Sequence, residues 1–216
     1  MTRGWIRIAL VVVVVVLIAL TCRLTVIPDA VLDGAVPVLS IPEAYARDNW
    51  DSKILPAIDE RAIDPAIFAE GMKTDLAVLG VEYAVRANET SPWNFCLKGK
   101  VKVLGVENAD SKTRTRLLVD VQPYDGEVDM KIQISTVIRT NAIRDAVGFM
   151  KLDDFANQVE FAELTKAFNA HVQKDVLQDL DVQSLVGREI ELTGCVSVGK
   201  NDEEALVVPI RIVTDW

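Results

Sequence analysis

Residues 95–106, Phe-Cys-Leu-Lys-Gly-Lys-Val-Lys-Val-Leu-Gly-Val, alternate apolar side chains with polar or small ones. A period of two marks a strand with one face buried and the other wet. Four more segments fit a strand: 115–121, 128–134, 189–198 and 205–213. Pro123-Tyr-Asp-Gly126 and Asn201-Asp-Glu-Glu204 supply turn signals between them. A helical pattern interrupts the series at 140–178, after the third strand. Three strands, a helical insertion, then two strands is the order of an OB-like barrel. Gly99, Gly105 and Gly194 lie inside strands, where a small barrel needs room to bend.

Helices precede the strands. Tyr45, Trp50, Ile54 and Ile58 follow one another at near-helical spacing. Ser40 suits the N-cap, and Pro56 is expected to kink or break this helix. A second helix is expected from the Asp64-Pro65 cap pair, with Ile67, Phe68, Met72 and Leu76 inward, through Gly80 to Tyr83. The fold class expected is therefore α+β: an N-terminal transmembrane or signal helix, then a helical layer on a five-stranded OB-like β-barrel. The domain divides into helices at 42–88 and a β-rich part at 93–216 with the helical insertion.

Residues 5–22 fix the address. Six consecutive valines, flanked by Arg7 and Arg23, form an apolar run with no polar face. An uncleaved anchor fits it best: Arg3 and Arg7 stay cytoplasmic, and Trp5 suits the interface. A lipoprotein signal would place the lipid on Cys22, although Thr21 stands where a smaller residue is expected. A cleaved secretory signal is a poorer match, because Ala19-Leu20-Thr21 departs from the Ala-x-Ala pattern. All three export the body. The chain is thus expected in the bacterial inner membrane, single-pass, with its C-terminal domain in the periplasm. Pro28, Pro37 and Pro42 make 23–41 an extended connector.

Of the 23 basic residues three are Arg3, Arg7 and Arg23, which leaves 20 against 32 acidic ones, a net of −12 beyond the leader. A body this acidic repels nucleic acid and anionic lipid. Cys96 opens the first strand and Cys195 lies late in the fourth, which are antiparallel neighbours in an OB-like ring. Their sulfurs fall within bridging reach; the other reading is two small buried thiols.

Motifs for chemistry are scarce. His171 is the single histidine, expected on a solvated helix edge, so neither an imidazole pair nor a His-rich metal site is available. The sequence has no Gly-x-Ser-x-Gly elbow, Gly-x-Gly-x-x-Gly loop, Walker lysine or Cys-x-x-Cys pair. No cofactor is implied. Asp153 is expected as the N-cap of the helix that follows it. The polar residues worth testing as a ligand or partner site are Arg139, Asn141, Arg144, Asp145, Asp154, Asn157 and Gln158. They mix guanidinium forks with amides at the junction of strands and helices. Arg144 and Asp145 have a simpler reading, in which they pair with neighbours and hold the two helices together. Trp50 is a further candidate, as the edge of a partner-binding helical layer.

Four blocks carry a resemblance. They are Asp48-Asn-Trp-Asp-Ser-Lys-Ile-Leu-Pro56, Ser91-Pro-Trp-Asn-Phe95 with Leu97-Lys-Gly99, Val137-Ile-Arg-Thr-Asn-Ala-Ile-Arg-Asp-Ala146 and Leu152-Asp-Asp-Phe-Ala-Asn-Gln-Val-Glu-Phe161. In this order they resemble the DUF2291 family, predicted bacterial periplasmic lipoproteins of unknown function. The resemblance implies an accessory role beside a sugar ABC transporter or its solute-binding protein. It also implies that members commonly lack cysteines at the positions of Cys96 and Cys195, so a bridge there would be particular to this chain or its close relatives. Two functional classes follow. One is a non-catalytic, membrane-tethered binding protein. The other is a hydrolase of a small polar solute such as a sugar, using Asp145, Asp153 or Asp154 as acid and base. The lack of a nucleophile, metal set or cofactor loop favours the first.

Overall fold

The computed structural model describes residues 41–200, 202 and 204–214. The anchor at 5–22, Cys22 and the connector as far as residue 40 lie outside the described residues. Among those described, no helix is long and apolar enough to cross a membrane.

The chain is mixed α+β. The described part begins with helix α1 (Ile41–Asn49), a π-helical turn (Trp50–Ile54) and α2 (Leu55–Arg61). A two-residue strand β1 (Ala62–Ile63) leads into α3 (Pro65–Thr74) and α4 (Leu76–Tyr83). Strands β2 (Trp93–Glu107), β3 (Arg116–Asp120) and β4 (Met130–Gln133) follow. The insertion holds α5 (Ala142–Ala146), a 3-10 turn (Leu152–Asp154), α6 (Gln158–Val172), a second π turn (Gln173–Leu177) and α7 (Val182–Leu185). Strands β5 (Glu189–Val198) and β6 (Leu206–Val213) end it.

The strands form one sheet in the order β1-β2-β3-β4-β6-β5, and β5 also pairs back onto β2, so β2 to β6 close a ring. β2 is long enough to serve two neighbours, β5 along Trp93–Lys102 and β3 along Lys102–Glu107. The ring is completed by a short parallel contact, Lys131↔Leu206 and Ile132↔Val207, between β4 and β6. Gly194 shows how the ring curves. The β5–β6 register shifts there, and a Cβ at Gly194 would stand 2.7 Å from the Val208 carbonyl oxygen. Glycine is what lets β6 come that close.

Strand alternation creates two cores. Phe95, Leu97, Val101 and Val103 point into the ring with Leu117, Ile132 and Leu192, and Phe68 of α3 joins them edge-on to Phe95 at 5.1 Å. Cys96, Cys195, Val208 and Ile210 point outward, where Ala46, Ile58, Ile143 and Phe168 from α1, α2, α5 and α6 cover them. Strands buried on both faces lose the clean alternation at residues 94–97 and 192–196.

Four expectations change. Ile67, expected inward on the second helix, is exposed on α3. The irregularity in the first helix falls at the π turn rather than at Pro56, which sits in the first turn of α2, where a missing N–H is harmless. The second helix does not run from Pro65 to Tyr83. It breaks at Asp75, whose carboxylate accepts from Ala77 and Val78 N–H at 2.9 and 3.1 Å and starts α4. Asp153 does not cap α6; it lies in the 3-10 turn, and Asn157 caps α6 by accepting from Glu160 N–H at 3.0 Å.

Candidate functional site

A cavity of about 560 Å³ opens where the loop before β3, the end of β4 and the segment before α5 meet β5 and β6. Arg114 and Arg139 line it together with Gln133, Thr140 and Ser197. Both arginines are exposed, and among the described residues neither guanidinium has a carboxylate partner.

The frame behind them is irregular chain held by side chains. Gln133 Nε2 donates to the Val137 carbonyl at 2.9 Å, and Ser135 Oγ donates to the same oxygen at 3.0 Å. Gln173 Nε2 donates to the Thr136 carbonyl at 2.7 Å. Asn169, buried on α6, donates through Nδ2 to the carbonyls of Ile138 and Thr140 at 3.3 and 3.1 Å. Thr136 N–H reaches the Lys112 carbonyl at 2.8 Å, which ties this strap to the loop carrying Arg114. Four successive or near-successive carbonyls are thereby satisfied without helix or strand, so the backbone at Arg139 is set before any ligand arrives.

The sequence-derived candidates do not all gather here. Arg139 lines the cavity. Asn141 stands exposed just before α5, and its carbonyl accepts from Asp145 N–H at 2.9 Å. Arg144 turns away: its guanidinium lies 3.9 Å over the Phe161 ring and Nε donates to Asp145 Oδ1 at 2.7 Å, with 11% of the side chain exposed. Asp154 Oδ2 accepts from Lys151 N–H at 3.0 Å, Asn157 is the α6 cap, and Gln158 is exposed in the first turn of α6. Trp50 is 5% exposed and packed against Phe168 and His171, so it offers no free edge to a partner.

His171 is not solvated as expected. Its ring packs tilted against Trp50 with centroids 4.0 Å apart, Nδ1 lies 3.0 Å from Asp175 Oδ2, and burial holds its pKa below the ordinary imidazole value. No cluster of His, Cys, Asp and Glu able to hold a metal ion occurs among the described residues. Arg114, Gln133 and Ser197 were not candidates from sequence. They come from three separate strands and loops, and only closure of the ring brings them opposite Arg139.

The outward face of β3 and β4 carries a charge network. Lys131 Nζ lies 3.1 Å from Glu107 and 2.9 Å from Glu204, and Arg116 stands 3.6 and 3.8 Å from the same two residues. The hydrogen bond to Glu204 raises the Lys131 pKa, and Lys131 lowers that of Glu204. The charges on this face neutralise one another.

A ring in this strand order, with helices between its third and fourth members, defines an OB-fold protein. An OB-fold protein from Thermotoga maritima superimposes with a TM-score of 0.66 at 18% identity, over 81% of this chain and 98% of its own. The chain belongs to the DUF2291 family, described as predicted periplasmic lipoproteins, whose profile matches residues 12–213. No functionally curated protein matches it.

Proposed function

We propose that this chain is a non-catalytic binding protein, tethered at the periplasmic side of the inner membrane through residues 5–22, whose Arg114–Arg139 groove takes a small solute bearing a carboxylate or phosphate. The observation that supports this most is a pair of guanidiniums that line one cavity and have no carboxylate partner among the described residues, on an otherwise acidic chain. Guanidinium forks match the two oxygens of a carboxylate or phosphate, and Gln133, Thr140 and Ser197 add neutral groups suited to hydroxyls. The cavity volume lies in the usual range for small-molecule sites. The accessory role beside a sugar ABC transporter or its solute-binding protein, implied by the family resemblance, joins this proposal as the setting in which such a solute is met.

Binding is favoured over hydrolysis because the carboxylates named for the latter are occupied or dispersed. Asp145 pairs with Arg144, Asp153 is exposed, and Asp154 lines a cavity of about 260 Å³ with Glu160, where each carboxylate already accepts from a backbone N–H, Asp154 from Lys151 and Glu160 from Ala156. Isothermal titration of the full chain with ribose 5-phosphate, citrate and neutral ribose tests the reading. Saturable heat is expected with the two anions, weakened at least tenfold by Arg139→Ala and by Arg114→Ala. No heat from either anion, or equal heat from neutral ribose in both variants, overturns it.

A further inference from the structure

Cys96 and Cys195 stand directly opposite each other in the antiparallel β2–β5 pairing, with their Sγ atoms 3.8 Å apart as free thiols. The register around them runs without a shift from Trp93↔Val198 to Lys102↔Glu189. Opposed residues in such a ladder have Cα atoms roughly 4.5 to 5.5 Å apart, inside the disulfide range of about 4.4 to 6.8 Å. Closing the sulfurs to a bond of about 2.05 Å takes an approach of about 1.8 Å, within reach of side-chain rotation. The bond would forfeit one weak contact, from Cys96 Sγ to the Ala146 carbonyl at 3.9 Å. The groove plays no part in it.

We propose that Cys96 and Cys195 are joined by a structural disulfide, made while the chain folds outside the cytoplasm and permanent thereafter. The oxidant is a disulfide donor, either a protein dithiol oxidase or a small-molecule disulfide. One cysteine thiolate attacks a donor sulfur, forms a mixed disulfide and expels the first donor thiolate. The second cysteine thiolate then attacks the protein-side sulfur of that mixed disulfide and expels the other. Two protons leave the cysteines and two electrons pass to the donor, which departs as a dithiol if its two sulfurs belong to one molecule and as two thiols if they do not.

Burial sets the timing. The two residues are 2% and 0% exposed beneath the helical layer, so no donor reaches them once α5 and α6 have closed over the strands. The hydrogen bond between the sulfurs and the burial of the site push the Cys195 pKa up, which keeps the folded thiol unreactive. A thiol–disulfide exchange centre needs the opposite, an exposed sulfur with a lowered pKa. The pair is 99 residues apart in the chain, so a bridge closes a long loop and restricts the unfolded state strongly.

The test uses the full chain isolated from a bacterial periplasm. The protein is unfolded in iodoacetamide without reductant, digested and mapped by mass spectrometry. One linked species joining the Cys96 and Cys195 peptides, lighter by two hydrogens than the separate peptides, is expected. Recovery of both cysteines alkylated overturns the proposal. A second portion is reduced in denaturant and refolded with reductant. It is expected to melt several degrees below the oxidised protein, and coincident melting curves overturn the structural role.

Discussion

The Trp50 indole and the His171 imidazole lie with ring centroids 4.0 Å apart and their planes tilted by 44°, at the meeting of the first helical segment with α6. Each lies at or near a π-helical turn, Trp50 opening the first and His171 preceding the second, which carries its partner Asp175. π turns are rare and sit often where a side chain must be aimed. Here they aim an indole, an imidazole and a carboxylate at one another on the outer core.

This contact predicts a pH dependence. Burial lowers the His171 pKa, while Asp175 and Asp51 pull it up and Lys174 pushes it down. The unfolded chain therefore takes the proton first, and stability falls as pH drops through the ordinary imidazole range near about 6.5. The urea midpoint is expected to be lower at pH 5.5 than at pH 7.5, and His171→Gln is expected to flatten that slope. An unchanged slope in the variant would assign the titration to other groups.

The strap behind Arg139 depends on Asn169. Removing its amide leaves the carbonyls of Ile138 and Thr140 without their donor. Asn169→Ala is expected to cost about 1–3 kcal/mol. It should also raise hydrogen exchange at residues 138–141 and weaken anion binding, although Asn169 itself does not line the groove. Exchange rates equal to wild type would show that the strap holds its shape without it.

Glycines in the ring have opposite expected outcomes. Alanine at 194 meets the Val208 carbonyl oxygen and the Val207 side chain, the first being backbone that cannot move aside. Gly194→Ala is expected to destabilise by at least about 1–3 kcal/mol. Nothing lies within 4 Å of a Cβ at Gly105, so Gly105→Ala is expected to gain about 0.4–1 kcal/mol. Denaturant midpoints of the two variants, measured side by side, check both signs.

Phe68 couples α3 to the inner core through its edge contact with Phe95, and both rings are fully buried. Phe68→Ala is expected to cost about 3–5 kcal/mol by leaving a cavity inside the ring. A loss below about 1 kcal/mol, measured by urea unfolding, would mean that the helices pack only loosely on the strands.

The order of elements and the α+β class were legible because strand alternation and helix capping are written in neighbouring residues. Residues 189–198 form β5 with the bounds expected from their pattern. The opposition of Cys96 and Cys195 followed from strand order and is met in register. The Asp75 break was also local, but its cap lies inside an apolar run that reads as continuous helix.

What the sequence determined by itself was the kind of ring the chain builds, because side-chain period and glycine placement act over a few residues. Tertiary structure decided which polar groups stay free. Arg144 and Arg139 look alike in sequence, yet one is spent on Asp145 and Phe161 while the other lines the cavity with Arg114. Trp50 likewise became core because α6 lies over it. Such outcomes depend on contacts between residues far apart in the chain, which no local pattern records.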